Sequence, residues 1–219
     1  MLTFSELKKN QAINTYIEAA DRSLESLGYT EHSFAHVCKV AESVKYILEV
    51  LDTPKHDIEL SQIAAYLHDI GNVVNRIEHS QSGAVMAFRI LDKLNMPPED
   101  IAKIVTAIGN HDEGTGVPVD NISAALILAD KSDVRRSRVR NRDKTAFDIH
   151  DRVNYSVVSS TLEINKPLNE IMLILKIDTE YASIMEFFEI FIERMLLCQK
   201  AAAKLGLKFK LTINGQALL

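Results

Sequence analysis

The sequence predicts a mainly α protein: a helical bundle followed by a small C-terminal α+β unit of ββαβ order. Three observations predict it. Apolar residues recur at helical spacing through the first two-thirds of the 219 residues. Helix punctuation separates these stretches, at Gly28, Pro54, Gly71 and the Pro97-Pro98 pair. Beyond about residue 150 the apolar residues alternate instead, as they do along strands. The expected division is a helical domain over 1–150 and a C-terminal unit over 151–219, the latter suited to dimerisation or regulation.

Taken in order, residues 5–27 carry Leu7, Ile13, Tyr16, Ile17, Ala20 and Leu24 near helical spacing, with Gly28 as the stop. Residues 31–51 carry Val37, Val40, Ala41, Val44, Ile47, Leu48 and Leu51, with Thr30 or Ser33 available as the cap. A third helix is expected over 58–70, closed by Gly71 just past its end. A fourth covers 80–95. A fifth starts at Pro97-Pro98, with Glu99 and Asp100 in its first turn, and runs to about Asn110. The segment 113–118 (EGTGVP) has turn chemistry, and a sixth helix covers roughly 121–136. Val153, Tyr155 and Val157 alternate, as do Ile171, Leu173, Leu175 and Ile177, which reads as a hairpin around Asn165-Lys166-Pro167. Residues 180–204 return to helical period, and 207–213 alternate again.

Composition narrows the function classes. Residues of the AVILMFWYC set make up 47% and charged residues 25%, which is ordinary for a globular chain with a sizeable core. No run approaches ~18 apolar residues, so no membrane span or membrane partner is expected. The start MLTFSELKKN has neither an apolar core nor a cleavage site, so no signal peptide is expected. With Cys38 and Cys198 far apart in no metal or redox spacing, a cytoplasmic location is expected. The net charge is −5, yet residues 131–144 hold seven Lys/Arg against two Asp. One basic segment on an acidic chain suits a small anion better than a nucleic acid.

The candidate chemistry lies in histidines and acids at helix ends. His36, His68-Asp69, His79 and His111-Asp112 stand there, and Asp130 sits inside the apolar run AALILAD. A buried carboxylate is costly unless it is paired or holds a metal. Singly, each residue has an ordinary reading: a core or surface histidine, a cap neighbour, a helix-ending His, an Asp paired with an arginine. In series they suggest a metal centre. His68 and Asp69 point about 100° apart on a helix and can converge on one point. Such ligands suit Mn, Fe, Co, Ni or Zn. His32 lies one turn before His36 and reads either as a surface histidine or as support for the site. Asp133 reads as a group that orients a water or an arginine.

The order His36, His68-Asp69, Asp130 in a helical frame resembles the HD superfamily of metal-dependent phosphohydrolases. AAYLHDIG (64–71) is similar to the motif that names the family, and ILADKSD (127–133) to the helix bearing its last ligand. His79 and His111 resemble the extra histidines of two-metal members. The segment after His111 resembles the HD-GYP subgroup, which cleaves cyclic dinucleotides, although Asn110-His111, Asn72 and Gly116-Val117-Pro118 depart from its pattern.

The resemblance implies one or two divalent ions. His36, His68, Asp69 and Asp130 would hold the first; Asp69, His79 and His111 would hold the second, with Asp69 bridging. It implies a phosphohydrolase that cleaves a phosphate ester or anhydride of a nucleotide or related small molecule through a metal-activated water. Asp69, Lys131 and Arg135 are the expected catalytic residues. Arg135, Arg138 and Arg142 would share one face if the sixth helix continued, and Arg76 is a further candidate for reaching substrate. The alternative is a catalytically silent scaffold that senses a nucleotide and signals through its tail. A homodimer is expected through an exposed strand edge of that tail.

Overall fold

The computed structural model describes residues 2–219. Its first element, α1 (Phe4–Leu7), is closed at its start by a capping box between Thr3 and Glu6. The helix expected over 5–27 breaks here, because Asn10 starts a new one. Its side chain accepts from the Ala12 and Ile13 amides (3.0 and 3.2 Å), and α2 runs Gln11–Ser26. Ser33 caps α3 (Phe34–Val50).

The third helix, α4, covers Lys55–Leu67. Gly71, expected to close the helix just past its end, does not do so and does not have a positive φ. It sits inside a tight 3-10 turn over Ile70–Val73. A side chain there would stand 2.5 Å from the Gly83 amide nitrogen and 2.6 Å from Ser82 Oγ. Gly71 is therefore required by close approach of backbones rather than by helix termination. The next helices are α5 (His79–Lys93), α6 (Pro98–Gly109) and α7 (Asn121–Ser132). The chain leaves the helical path at Asp133, so Arg135, Arg138 and Arg142 do not form the continuous helix face expected of them.

Residues Ile149–Ser156 form a helix, α8, capped by Asp148, where the alternation of Val153, Tyr155 and Val157 predicted a strand. Three residues fit either period, and the cap decides. The boundary expected after residue 150 thus falls inside α8. The hairpin follows as β1 (Val157–Asn165) and β2 (Glu170–Ile177), with a short turn at Lys166–Leu168. Then come α9 (Ile184–Lys204), β3 (Lys208–Ile213) and a two-residue β4 (Gln216–Ala217). The sheet order is β1-β2-β3-β4. β1 and β2 are antiparallel, β2 and β3 are parallel across the α9 crossover, and β3 and β4 are antiparallel.

The sheet buries Ile171, Leu173, Leu175, Phe209, Leu211 and Ile213, alternate residues of β2 and β3. α9 lies between the sheet and α7, contributing Phe187, Phe191, Met195 and Cys198 to the interior. These side chains join those of α3, α4, α6 and α7 in one continuous apolar cluster. No helix among the described residues is long and apolar enough to cross a membrane.

Candidate metal centre

Helix ends bring the histidines and acids together. His36 is in the first turn of α3, His68 and Asp69 follow α4 directly, His79 opens α5, His111 follows α6, and Asp130 is on the last turn of α7. All have little or no exposure. The imidazoles share one plan: Nδ1 is tied to a protein acceptor and Nε2 points inward. His36 Nδ1 donates to Asp133 Oδ2 (2.8 Å), His68 Nδ1 to the Ala65 carbonyl (2.7 Å) and His111 Nδ1 to the Ile108 carbonyl (2.6 Å). His79 Nδ1 stands 3.1 Å from the Arg76 carbonyl. Three of these acceptors are carbonyls three residues back, and two of them, of Ala65 and Ile108, belong to the helix that the histidine follows, so the sequence places them once that helix forms. Such ties fix the tautomer that leaves Nε2 able to bind a metal.

The inward atoms fall into two groups. His36 Nε2 is 3.3 Å from His68 Nε2, 3.2 Å from Asp130 Oδ1 and 3.6 Å from Asp69 Oδ2. His68 Nε2 is 3.2 Å from Asp69 Oδ2. On the other side, His79 Nε2 is 3.1 Å from His111 Nε2 and 3.4 Å from Asp69 Oδ1. Asp69 therefore offers Oδ2 to the first group and Oδ1 to the second. Ligand atoms about 2.1 Å from a tetrahedral or octahedral ion stand roughly 3.0–3.4 Å apart, and most of these edges match; His36 Nε2 to Asp69 Oδ2 at 3.6 Å and His111 Nε2 to Asp69 Oδ1 at 4.0 Å are wider. Asp69 Oδ2 is buried with no hydrogen-bond partner, a costly state that a cation would relieve. His36, His68 and Asp130, and separately His68, Asp69 and His111, have the spacing of metal-holding groups. The donor set fits a divalent transition metal.

Electrostatics in the protein alone show how tightly these groups are opposed. Burial works against a charged His68 ring, but Asp69 and Asp130 outweigh it and push the ring up to about 10. Burial would raise Asp69 and Asp130, yet His68 beside the first and Lys131 beside the second hold both well below the usual carboxylate range. Burial and neighbouring cations push His79, His111 and His32 below the ordinary imidazole value.

A cavity of about 420 Å³ opens over Asp69, His79, His111 and Asp130. Arg76, Lys131, Arg138 and Arg194 line it, as do Tyr29, His32 and Phe191. Lys131 is buried between Asp130 Oδ2 (2.8 Å) and Glu113 Oε2 (3.0 Å). Arg76 lies against the His79 ring, 3.2 Å from Nε2, and faces the Tyr29 ring.

Arg135 is placed differently from expectation. It is not among the cavity-lining residues; Asp133, Ser137 and Glu31 hold its guanidinium. Most of the basic segment is spent in this way. Arg136 pairs with Asp178, and Arg140 with Asp21 and Glu25, while Lys144 bonds the Tyr181 hydroxyl. Arg142 is exposed. Asp133 does orient arginines, but it also holds His36. His32 bonds the Thr30 carbonyl and packs edge-on to His36, at the cavity wall.

Three residues escaped sequence reasoning. Asn72 donates to the Asp69 carbonyl (2.9 Å) and to Asp69 Oδ1 (3.1 Å), holding the bridging acid. Its position three residues after Asp69 was the available signal. Glu113 and Arg194 meet at 2.7 Å across 81 residues of sequence, which no local pattern reveals.

A model of the HD domain matches residues 33–169. An uncharacterized protein of Methanocaldococcus jannaschii is 25% identical over 173 residues, 68% of this chain and 66% of that protein. The chain thus spans just under two thirds of that relative's length. The crystal structure of a predicted HD superfamily hydrolase from an uncultured Thermotogales bacterium aligns with a TM-score of 0.46 at 21% identity, covering 61% of this chain and 75% of that one. The converging residues from His36 to Asp130 all lie inside the matched span, and the chain belongs to the HD domain family.

Proposed function

We propose that this protein is a metal-dependent phosphohydrolase acting on a phosphate ester or anhydride of a nucleotide or related small molecule. The observation that carries the reading is the double convergence on Asp69, beneath a cavity lined by cations. His36, His68, Asp69 and Asp130 would hold one divalent ion, and Asp69, His79 and His111 a second. Bound there, such ions supply a water acidic enough to ionise near neutral pH and neutralise charge on phosphoryl oxygens.

The protein's own groups do the rest. Asp133 keeps the His36 proton on Nδ1, and Asn72 fixes the Asp69 carboxylate. Lys131 is held charged beside Asp130, facing the cavity where a phosphoryl group would lie. Arg76 and Arg138 add positive charge to its walls. Arginine donors match phosphate oxygens, which favours an anionic substrate over a neutral one. The cavity volume of about 420 Å³ suits a compact ligand.

The test is to reconstitute the protein separately with Mn, Fe, Co, Ni and Zn. Each form is assayed against nucleoside mono-, di-, oligo- and cyclic phosphates. Turnover lost in Asp69→Asn supports the reading. Metal-loaded protein that binds a nucleotide but hydrolyses nothing on the panel refutes it and favours a sensor.

A further inference from the structure

We infer that Arg194, on α9 of the C-terminal unit, binds the substrate phosphoryl group, and that Glu113 is the positioning residue that aims it. The inference rests on the phosphohydrolase reading above and extends the site beyond the matched HD span, which ends at residue 169.

Arg194 lines the same cavity as Asp69, Asp130 and Lys131. Its Nε donates to Glu113 Oε1 at 2.7 Å. The other oxygen of Glu113 receives Lys131 Nζ at 3.0 Å, and Lys131 also pairs with Asp130 at 2.8 Å. A row of alternating charges therefore leads from α9 to one of the metal-facing acids. Glu113 spends one oxygen on each cation and so fixes their relative position. The guanidinium also lies over the Phe191 ring, 4.4 Å from its centroid, which limits its rotation.

Among the described residues, the Arg194 Nη groups have no hydrogen-bond acceptor, although the side chain is only 23% exposed. A purely structural arginine at a helix packing surface is ordinarily bonded through its fork to a carboxylate or to carbonyls. Here Nε alone makes the structural bond, and the Nη donors remain for a ligand at the cavity wall. A phosphoryl group, with several oxygens and at least one negative charge, is the chemistry those donors fit. Arg135, which sequence reasoning put in this role, has its donors occupied by Asp133, Ser137 and Glu31.

The experiment uses the full chain, metal-loaded, with inorganic phosphate as the probe in calorimetric titration. Arg194→Gln should weaken phosphate binding by about tenfold to a hundredfold, the range for losing hydrogen bonds to a charged partner. Bound metal per chain should stay as in the unaltered protein. On any ester that is turned over, KM should rise more than kcat falls. Glu113→Gln should shift KM in the same direction by less, and Arg194→Lys should recover part of the loss. A merely structural role would lower the melting temperature without this KM-against-kcat split. Unchanged phosphate affinity in Arg194→Gln overturns the inference. Should that variant fail to fold, Arg194→Met, which keeps the length without the charge or donors, decides by the same titration: lost affinity supports the inference, and unaltered affinity overturns it. Unaltered protein that neither binds phosphate nor turns over any ester removes the phosphohydrolase reading and this inference together. Active protein with an unaffected Arg194→Gln removes only this one.

Discussion

Gly71→Ala should damage both the stability of the bundle and the second half of the candidate metal centre. The new methyl would stand 2.5 Å from the Gly83 nitrogen and 2.6 Å from Ser82 Oγ, and closer still to the His79 carbonyl oxygen. Ordinary contact starts at 3.4 Å. The Ser82 hydroxyl can rotate away, but the two backbone groups are fixed in the first turns of α5. That helix must then withdraw by about 1 Å from the turn over 70–73. Overpacking of this kind costs about 1–3 kcal/mol. For a chain of this size that lowers the melting temperature by about 2–12 °C. The same withdrawal carries His79 away from Asp69, whose Nε2 and Oδ1 are now 3.4 Å apart. Against metal–ligand bonds of about 2.1 Å, a shift of 1 Å is enough to lose the ligand. The assay is urea and thermal unfolding in the presence of chelator, followed by metal analysis after reconstitution. Gly109→Ala is the matched control. Its methyl would meet nothing nearer than 3.7 Å, and α6 should gain up to about 1 kcal/mol. A Gly71→Ala protein within about 0.5 kcal/mol of the parent, with full metal content, would refute the reasoning.

Three further outcomes are expected. Asp133→Ala frees the His36 ring and should weaken metal binding about 10–100-fold, measured by chelator competition; unchanged affinity would show that His36 is oriented without it. Burial pushes the Cys198 thiol from 9.0 up to about 12. Below pH 9 folded and unfolded chains both keep this proton. Above it only the unfolded chain loses it, so stability should fall about 1.4 kcal/mol per pH unit until about pH 12. Cys198→Ala should show a correspondingly shallower decline over pH 9–12, and identical slopes would exclude this contribution. Ser183→Ala removes the capping box at the start of α9 and should cost about 1 kcal/mol in urea unfolding, with no change in metal content.

The helices were legible because their buried faces repeat at the helical period, as Val37, Val40, Ala41 and Val44 do in α3. The break at Asn10 was not, because apolar periodicity carries across a cap that only a side-chain hydrogen bond reveals. Nor was α8, since three alternating residues suit two periods and the Asp148 cap shows only in the fold. At the centre, chain order and helix-end placement were enough to nominate the six residues that the fold brings together. Arginine was harder. Arg135 lies five residues after the nominated ligand Asp130, yet its direction depends on where α7 ends. Arg194 occupies an ordinary position on an amphipathic helix, and its partner is 81 residues away. Charge placement depends on tertiary packing, which sequence spacing does not encode.

The centre is stitched from distant parts of the chain. His36 meets His68 across 32 residues, His79 meets His111 across another 32, and His36 reaches Asp133 across 97. Each closure costs entropy before it returns any contact, so the pieces can meet only once the bundle is nearly assembled. A growing polypeptide lacks the first ligand group until Asp130 has been synthesised and α7 has docked, whereas the second, Asp69 with His79 and His111, is complete in sequence by residue 111. An ion in the first group would therefore arrive late in the molecule's biogenesis, as a clasp on a finished fold rather than a seed for it.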